Sequence, residues 1–144
     1  MSYKFREDIA MADAAVEIKC KKLEDVFREA AEATTDIMVN RKTLKAKKVR
    51  KVALKNADLE QLLLKWLEEI VFIKDAHNFL GKNFRVKIKE NKKTKEFELE
   101  GKINGEEVDQ KRHEIRTDVK AVTMHMFSLK KEKSGWEALV ILDT

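Results

Sequence analysis

The stretch NADLEQLLLKWLEEIVFI, residues 56 to 73, constrains the fold more than any other part of this chain. Leu59, Leu62, Leu63, Trp66, Leu67, Ile70, Val71 and Ile73 recur at α-helical spacing and cover a wide arc of the helix surface. A helix this apolar has to lie across a core. Asp58, followed three residues later by Gln61, predicts a capping box at its start.

A second helix is predicted from Leu23 to near Asn40, where Leu23, Val26, Phe27, Ala30, Ala33, Ile37 and Met38 repeat at the same period. Between and after the helices the period drops to two. In FRVKIK, residues 84 to 89, Phe84, Val86 and Ile88 alternate with Arg85, Lys87 and Lys89. Asn91 to Thr94 reads as a turn, and EFELEGKI returns with Phe97 and Leu99 inward. Glu96, Glu98 and Glu100 then face the lysines across the outer surface, a favourable cross-strand arrangement.

Further strands are expected at Ala14 to Cys20, at Val49 to Leu54, and as a closing pair either side of Gly135. Two long helices among about six mostly antiparallel strands predict an α+β fold, a single two-layer domain over residues 1–144. The chain of 144 residues is long enough to bury a core without disulfides or a structural metal. Its single cysteine, Cys20, falls in a strand pattern and reads as a small core residue. A lone thiol, no secretion signal and no apolar run of membrane-spanning length point to a cytoplasmic protein without a membrane partner.

Standard catalytic signatures are absent: no phosphate-binding glycine loop, no paired cysteines at metal spacing, no zinc-protease helix motif. His77 falls at the end of the long helix and reads as a surface or capping residue. His113, in KRHEIR, reads as a solvated loop residue, and His125, between Met124 and Met126 in a strand, as a satisfied structural one. A net charge of +5 permits an acidic partner such as RNA. Seven basic residues lie between Arg41 and Lys51, but no aromatic residue is interleaved for base stacking, so direct RNA contact there is at most weak.

The acids carry a sharper signal. Asp143 closes the apolar strand ALVIL and is followed only by Thr144, whose terminal oxygens could join it as ligands. Asp13, at the mouth of the first predicted strand, could complete a set suited to a hard cation. Asp8, nearby in EDIAMADAAVEIKC, reads as solvent-exposed or loop-supporting, with Ile9 to Ala12 packing closely between the two acids.

HEIRTDVKAVTMHMFSLKKEKSGWEALVILDT, residues 113 to 144, resembles the C-terminal signature of the archease family. There a His-Glu pair precedes a Val-Lys-Ala segment, a Thr, a Tyr or Met and a His, then a Gly-Trp turn and a chain ending in Asp-Ile. The Asn56 to Phe72 segment is similar to the family's acid-leucine helix, and KKLEDVFREAAEATTDIMV to its first helix. The family's opening motif, His-Thr-Ala-Asp followed by an aliphatic residue and Gly, aligns its aspartate with Asp13. Ala10, Met11 and Ala15 depart from it, as in an archaeal-looking subtype.

The resemblance implies a non-enzymatic activator of an RtcB-type RNA ligase in tRNA splicing. It would promote guanylylation of the ligase and permit multiple turnover. It implies metal ligation by Asp13, Asp143 and Thr144, with Lys120 and His125 functional near that site. The expected ion is Ca²⁺, with Mg²⁺ or Mn²⁺ as alternatives. A second reading is a chaperone or specificity modulator for a tRNA cytosine-C5 methyltransferase. An independent enzyme would need a nucleophile or base that the sequence does not display.

Overall fold

The computed structural model describes residues 2–6 and 13–144. The expectations for Asp8 and for the small residues between it and Asp13 lie outside them. The elements run β1 (Ser2–Arg6), β2 (Asp13–Cys20), α1 (Leu23–Met38), a 3-10 turn (Arg41–Thr43), β3 (Lys48–Asn56), α2 (Leu59–His77), β4 (Phe79–Asn91), β5 (Glu96–Glu107), β6 (Ala121–Glu132) and β7 (Gly135–Asp143). The α+β expectation holds. Among the described residues seven strands divide into two antiparallel sheets, ordered β1-β2-β7-β6 and β3-β5-β4, where one sheet of about six was expected.

Both helices serve both sheets. α1 touches β1, β2 and β7 of the first sheet and β4 of the second, while α2 touches β3, β4 and β5 of the second and β6 of the first. This explains why α2 is apolar over so wide an arc: Leu62, Leu63, Trp66 and Leu67 are all fully buried. Trp66 ties the layers together. Its Nε1–H donates to the Phe27 carbonyl of α1 at 3.0 Å, and its ring meets Phe84 of β4 edge-to-face at 6.4 Å. Gly101 of β5 leaves the room that this indole needs, because a Cβ there would stand 2.6 Å from a ring carbon.

Asp58 caps α2, its Oδ1 accepting from the Glu60 N–H at 2.8 Å, but its own N–H donates to Asn56 Oδ1 at 2.9 Å in place of the capping-box partner expected in Gln61. Asn78 closes the helix in the left-handed conformation at φ 55°. The β4–β5 hairpin takes the anticipated register, with Lys87 opposite Glu100 and Lys89 opposite Glu98. Strand β1 was not anticipated, since five residues carry too little alternation to stand out from a chain end. His113 is a correction to the solvated-loop reading: it is 5 % exposed, held by the acid described below.

Candidate functional site

Strand β2 begins at Asp13, β7 ends at Asp143, and the antiparallel register sets these two residues directly opposite each other. The apolar run preceding Asp143 fixes it there. Ala138, Val140, Ile141 and Leu142 are buried, and β7 is paired on both sides, by β2 and by β6. Asp143 therefore stands on a clamped strand. On the far side Ala121 pairs with it, and the Lys120 N–H donates to the Asp143 carbonyl oxygen at 2.8 Å.

Two like charges directly opposite in an antiparallel ladder repel, and the sheet has to hold them together against that repulsion. A hard divalent cation removes the penalty by accepting both carboxylates, with main-chain oxygens and water filling its shell. Thr144 follows Asp143 and is half-buried. Among the described residues no group of three or more His, Cys, Asp and Glu side chains gathers at one point, so such an ion would find only two side-chain carboxylates here.

Of the remaining expected residues, Lys120 is exposed beside the pair and its backbone is already part of the site. His125 is placed differently from the structural histidine expected. The β6–β7 register breaks between Thr123 and Ser128, and the chain bulges outward there with Met126 at φ 56°. His125 is exposed on that bulge, flanked by Met124 and Met126, which are 56 % and 49 % exposed. Bulges near a site commonly re-aim side chains. This one presents an imidazole between two thioethers, farther along β6 than the carboxylate pair.

The buried acid that sequence reasoning missed is Glu106, 3 % exposed near the end of β5. Its Oε1 accepts from Arg112 Nη2 at 2.6 Å, and its Oε2 from the Lys45 N–H at 2.6 Å. His113 Nε2 lies 2.9 Å from the same Oε2, while the Asp109 N–H donates to His113 Nδ1. The ring proton therefore sits on Nε2 and points at the carboxylate. The Arg112 hydrogen bond holds the Glu106 carboxyl down to about 2. Burial opposes this, and the Lys45 and His113 bonds reinforce it. This network pins the loop 108–116 to the segment before β3, a structural role. Alternation along β5 gave no hint of it, because Glu106 keeps the parity of the exposed Glu100 and Lys102 and only the loop folding over it buries it.

The basic run does not act as one patch. Lys47 lies 3.7 Å from Glu106 and Lys48 3.0 Å from Glu107, while Arg50 stacks its guanidinium 5.1 Å from the Phe79 ring centre. Arg41 and Lys42, at its start, face a different surface altogether.

Comparison with known proteins agrees with the fold. The profile described as the Archease protein family matches residues 3–144. A curated relative, the protein archease of Methanothermobacter thermautotrophicus, is 40 % identical over 121 residues, covering 84 % of each chain. The solution structure of Methanobacterium thermoautotrophicum protein 1598 superposes with a TM-score of 0.81 at 34 % identity, over 99 % of this chain and 98 % of that one. The crystal structure of an archease from Thermotoga maritima, described as a possible chaperone, shares the fold at a TM-score of 0.57 and 15 % identity, covering 94 % of this chain and 93 % of that one.

Proposed function

The chain belongs to the archease family, and from that membership we propose that it is a non-enzymatic activator of an RtcB-type RNA ligase in tRNA splicing. It acts through a metal-bearing acidic tip. The observation that carries this reading is the direct cross-strand opposition of Asp13 and Asp143. A pair of carboxylates held against their own repulsion stores a demand for a cation. A bound Ca²⁺, Mg²⁺ or Mn²⁺ would balance the two aspartate charges, so that the tip could approach phosphate without repulsion. The ion supplies charge and oxygen coordination. The protein's own residues supply placement: Asp13 and Asp143 as ligands, Thr144 as a further oxygen, Lys120 as a positive neighbour, and His125 as a contact on the partner side.

The test is a ligation assay with an RtcB-type ligase, GTP and Mn²⁺, in which this protein is present in catalytic amounts. Wild type should restore multiple turnover, and Asp13→Ala and Asp143→Ala should not. Stimulation by either variant at the wild-type level overturns the assignment, and turnover of a substrate by the isolated protein overturns the non-enzymatic role.

One feature favours a second reading, a chaperone of a tRNA cytosine-C5 methyltransferase. The exposed Met124 and Met126 offer the adaptable apolar contact that a protein client would use. Under that reading, suppression of client aggregation survives Asp143→Ala and is lost in a Met124→Ser, Met126→Ser variant.

A further inference from the structure

The fold gathers residues from four separate segments around one open cleft of about 460 Å³, whose lining includes neither Asp13 nor Asp143. β1 contributes Tyr3 and Phe5, the end of α1 and the turn after it contribute Asp36, Asn40, Arg41 and Lys42, β4 contributes Lys82 and Asn83, and the loop before β6 contributes Arg116. Four cationic side chains line the cleft with one carboxylate, and Glu32 and Glu114 pair with Arg41 and Arg116 from its rim. Asp36 is fully engaged: Arg41 Nε donates to its Oδ1 at 2.8 Å, and the Tyr3 hydroxyl donates to its Oδ2.

Glu114 pairs with Arg116, so the charge left over is that of Lys42 and Lys82. Among the described residues neither Lys42 nor Lys82 meets a carboxylate. Lys82 is the extra residue of a bulge between Gly81 and Asn83, and its Nζ donates to the Arg41 carbonyl at 3.1 Å. Arg41 Nη1 donates in return to the Lys82 carbonyl at 2.8 Å. Arg116 is fixed by its Nη1 on the Asp36 carbonyl at 3.0 Å and by Glu114 on its outer side. Beside these cations the Phe5 ring is 46 % exposed, set edge-to-face on Tyr3 at 5.8 Å. An aromatic face, an excess of positive charge and two amides at one nucleotide-sized cleft are the parts of a single-strand nucleic-acid site.

We propose that this cleft binds single-stranded RNA, with a base stacked on Phe5 and the flanking phosphates on Lys42, Lys82 and Arg116. The aromatic missing from the basic run in sequence is supplied by β1 in space. The site is independent of the metal tip, and its test requires no ligase.

The test uses a short fluorescein-labelled RNA of mixed sequence, with binding followed by fluorescence anisotropy. Three phosphate contacts should make affinity fall roughly twentyfold between ~50 and ~200 mM salt. Phe5→Ala should weaken binding about tenfold and Phe5→Trp should restore it, as expected for the loss and return of one stacked base. Lys42→Glu should weaken binding and flatten the salt dependence. Phe5 and Lys42 are both exposed, so unfolding curves of the variants should match wild type. The proposal fails if wild type does not bind at the lower salt. It fails equally if Phe5→Ala binds like wild type, or if a duplex RNA of the same length competes as well as the single strand.

Discussion

Asp13 and Asp143, separated by almost the whole chain, are direct cross-strand partners at the end of the β2–β7 ladder. Neither has a cationic side chain paired with it among the described ion pairs, although Lys120 stands one residue from the strand position opposite Asp143.

That opposition predicts a stability signature. In the presence of a chelator, Asp143→Asn should be at least as stable as wild type, because it removes a repulsive pair. Adding Ca²⁺ or Mn²⁺ at about a hundred times Kd should stabilise wild type by ~2.7 kcal/mol. The variant should gain little. Thermal unfolding with and without metal measures both, and an equal metal response in the two proteins removes Asp143 from the ligand set.

Glu106 predicts an acid-sensitive core. Its carboxyl is held at about 2 against an ordinary 4.5, so the folded state favours the charged form. The stabilisation is complete above about 4.5 and is lost as pH falls from there toward 2. Within that window it steepens the loss of stability by up to ~1.4 kcal/mol per pH unit. Glu106→Gln should lower stability at neutral pH by about 1–3 kcal/mol and flatten the dependence in that window. Denaturant unfolding at several pH values reads both effects.

Gly101 predicts a packing limit. An added methyl would press into Trp66, whose indole is already fixed by its bond to Phe27 and cannot swing aside cheaply. Gly101→Ala should cost about 1–3 kcal/mol as an overpacked core, seen as a lower denaturation midpoint. The same change at the exposed Lys102 should cost far less.

Cys20 predicts an inert thiol. It is buried, and its Sγ–H donates to Glu29 at 3.1 Å. Burial first, then that bond, push the thiol up to about 12. Alkylation by iodoacetamide near neutral pH should be slower by roughly a thousandfold in the native protein than in denaturant, following the thiolate fraction. Rapid native labelling would contradict this.

The periodic elements were legible because periodicity is local. The α2 stripe, the capping Asp58 and the alternation from Phe84 to Leu99 each state their structure within a few residues. Physical chemistry then leaves them few alternatives. The α+β class follows from the same signals, and so does the burial of Cys20. Asp13 and Asp143 could be named as candidates from their residue type and from their places at strand ends.

What the tertiary structure decided was adjacency. Strand register brings Asp13 across from Asp143, and a break in register throws His125 and its methionines outward. A five-residue strand with almost no sequence signal carries Tyr3 and Phe5 to Arg41, Lys42, Lys82 and Arg116. His113 and Glu106 found each other in the same way, and so a loop histidine became a core residue. The division of seven strands into two sheets belongs here as well. Each of these depends on which distant segments close upon one another, and that is set by the summed burial of both helices against both sheets. No short window of sequence records that sum.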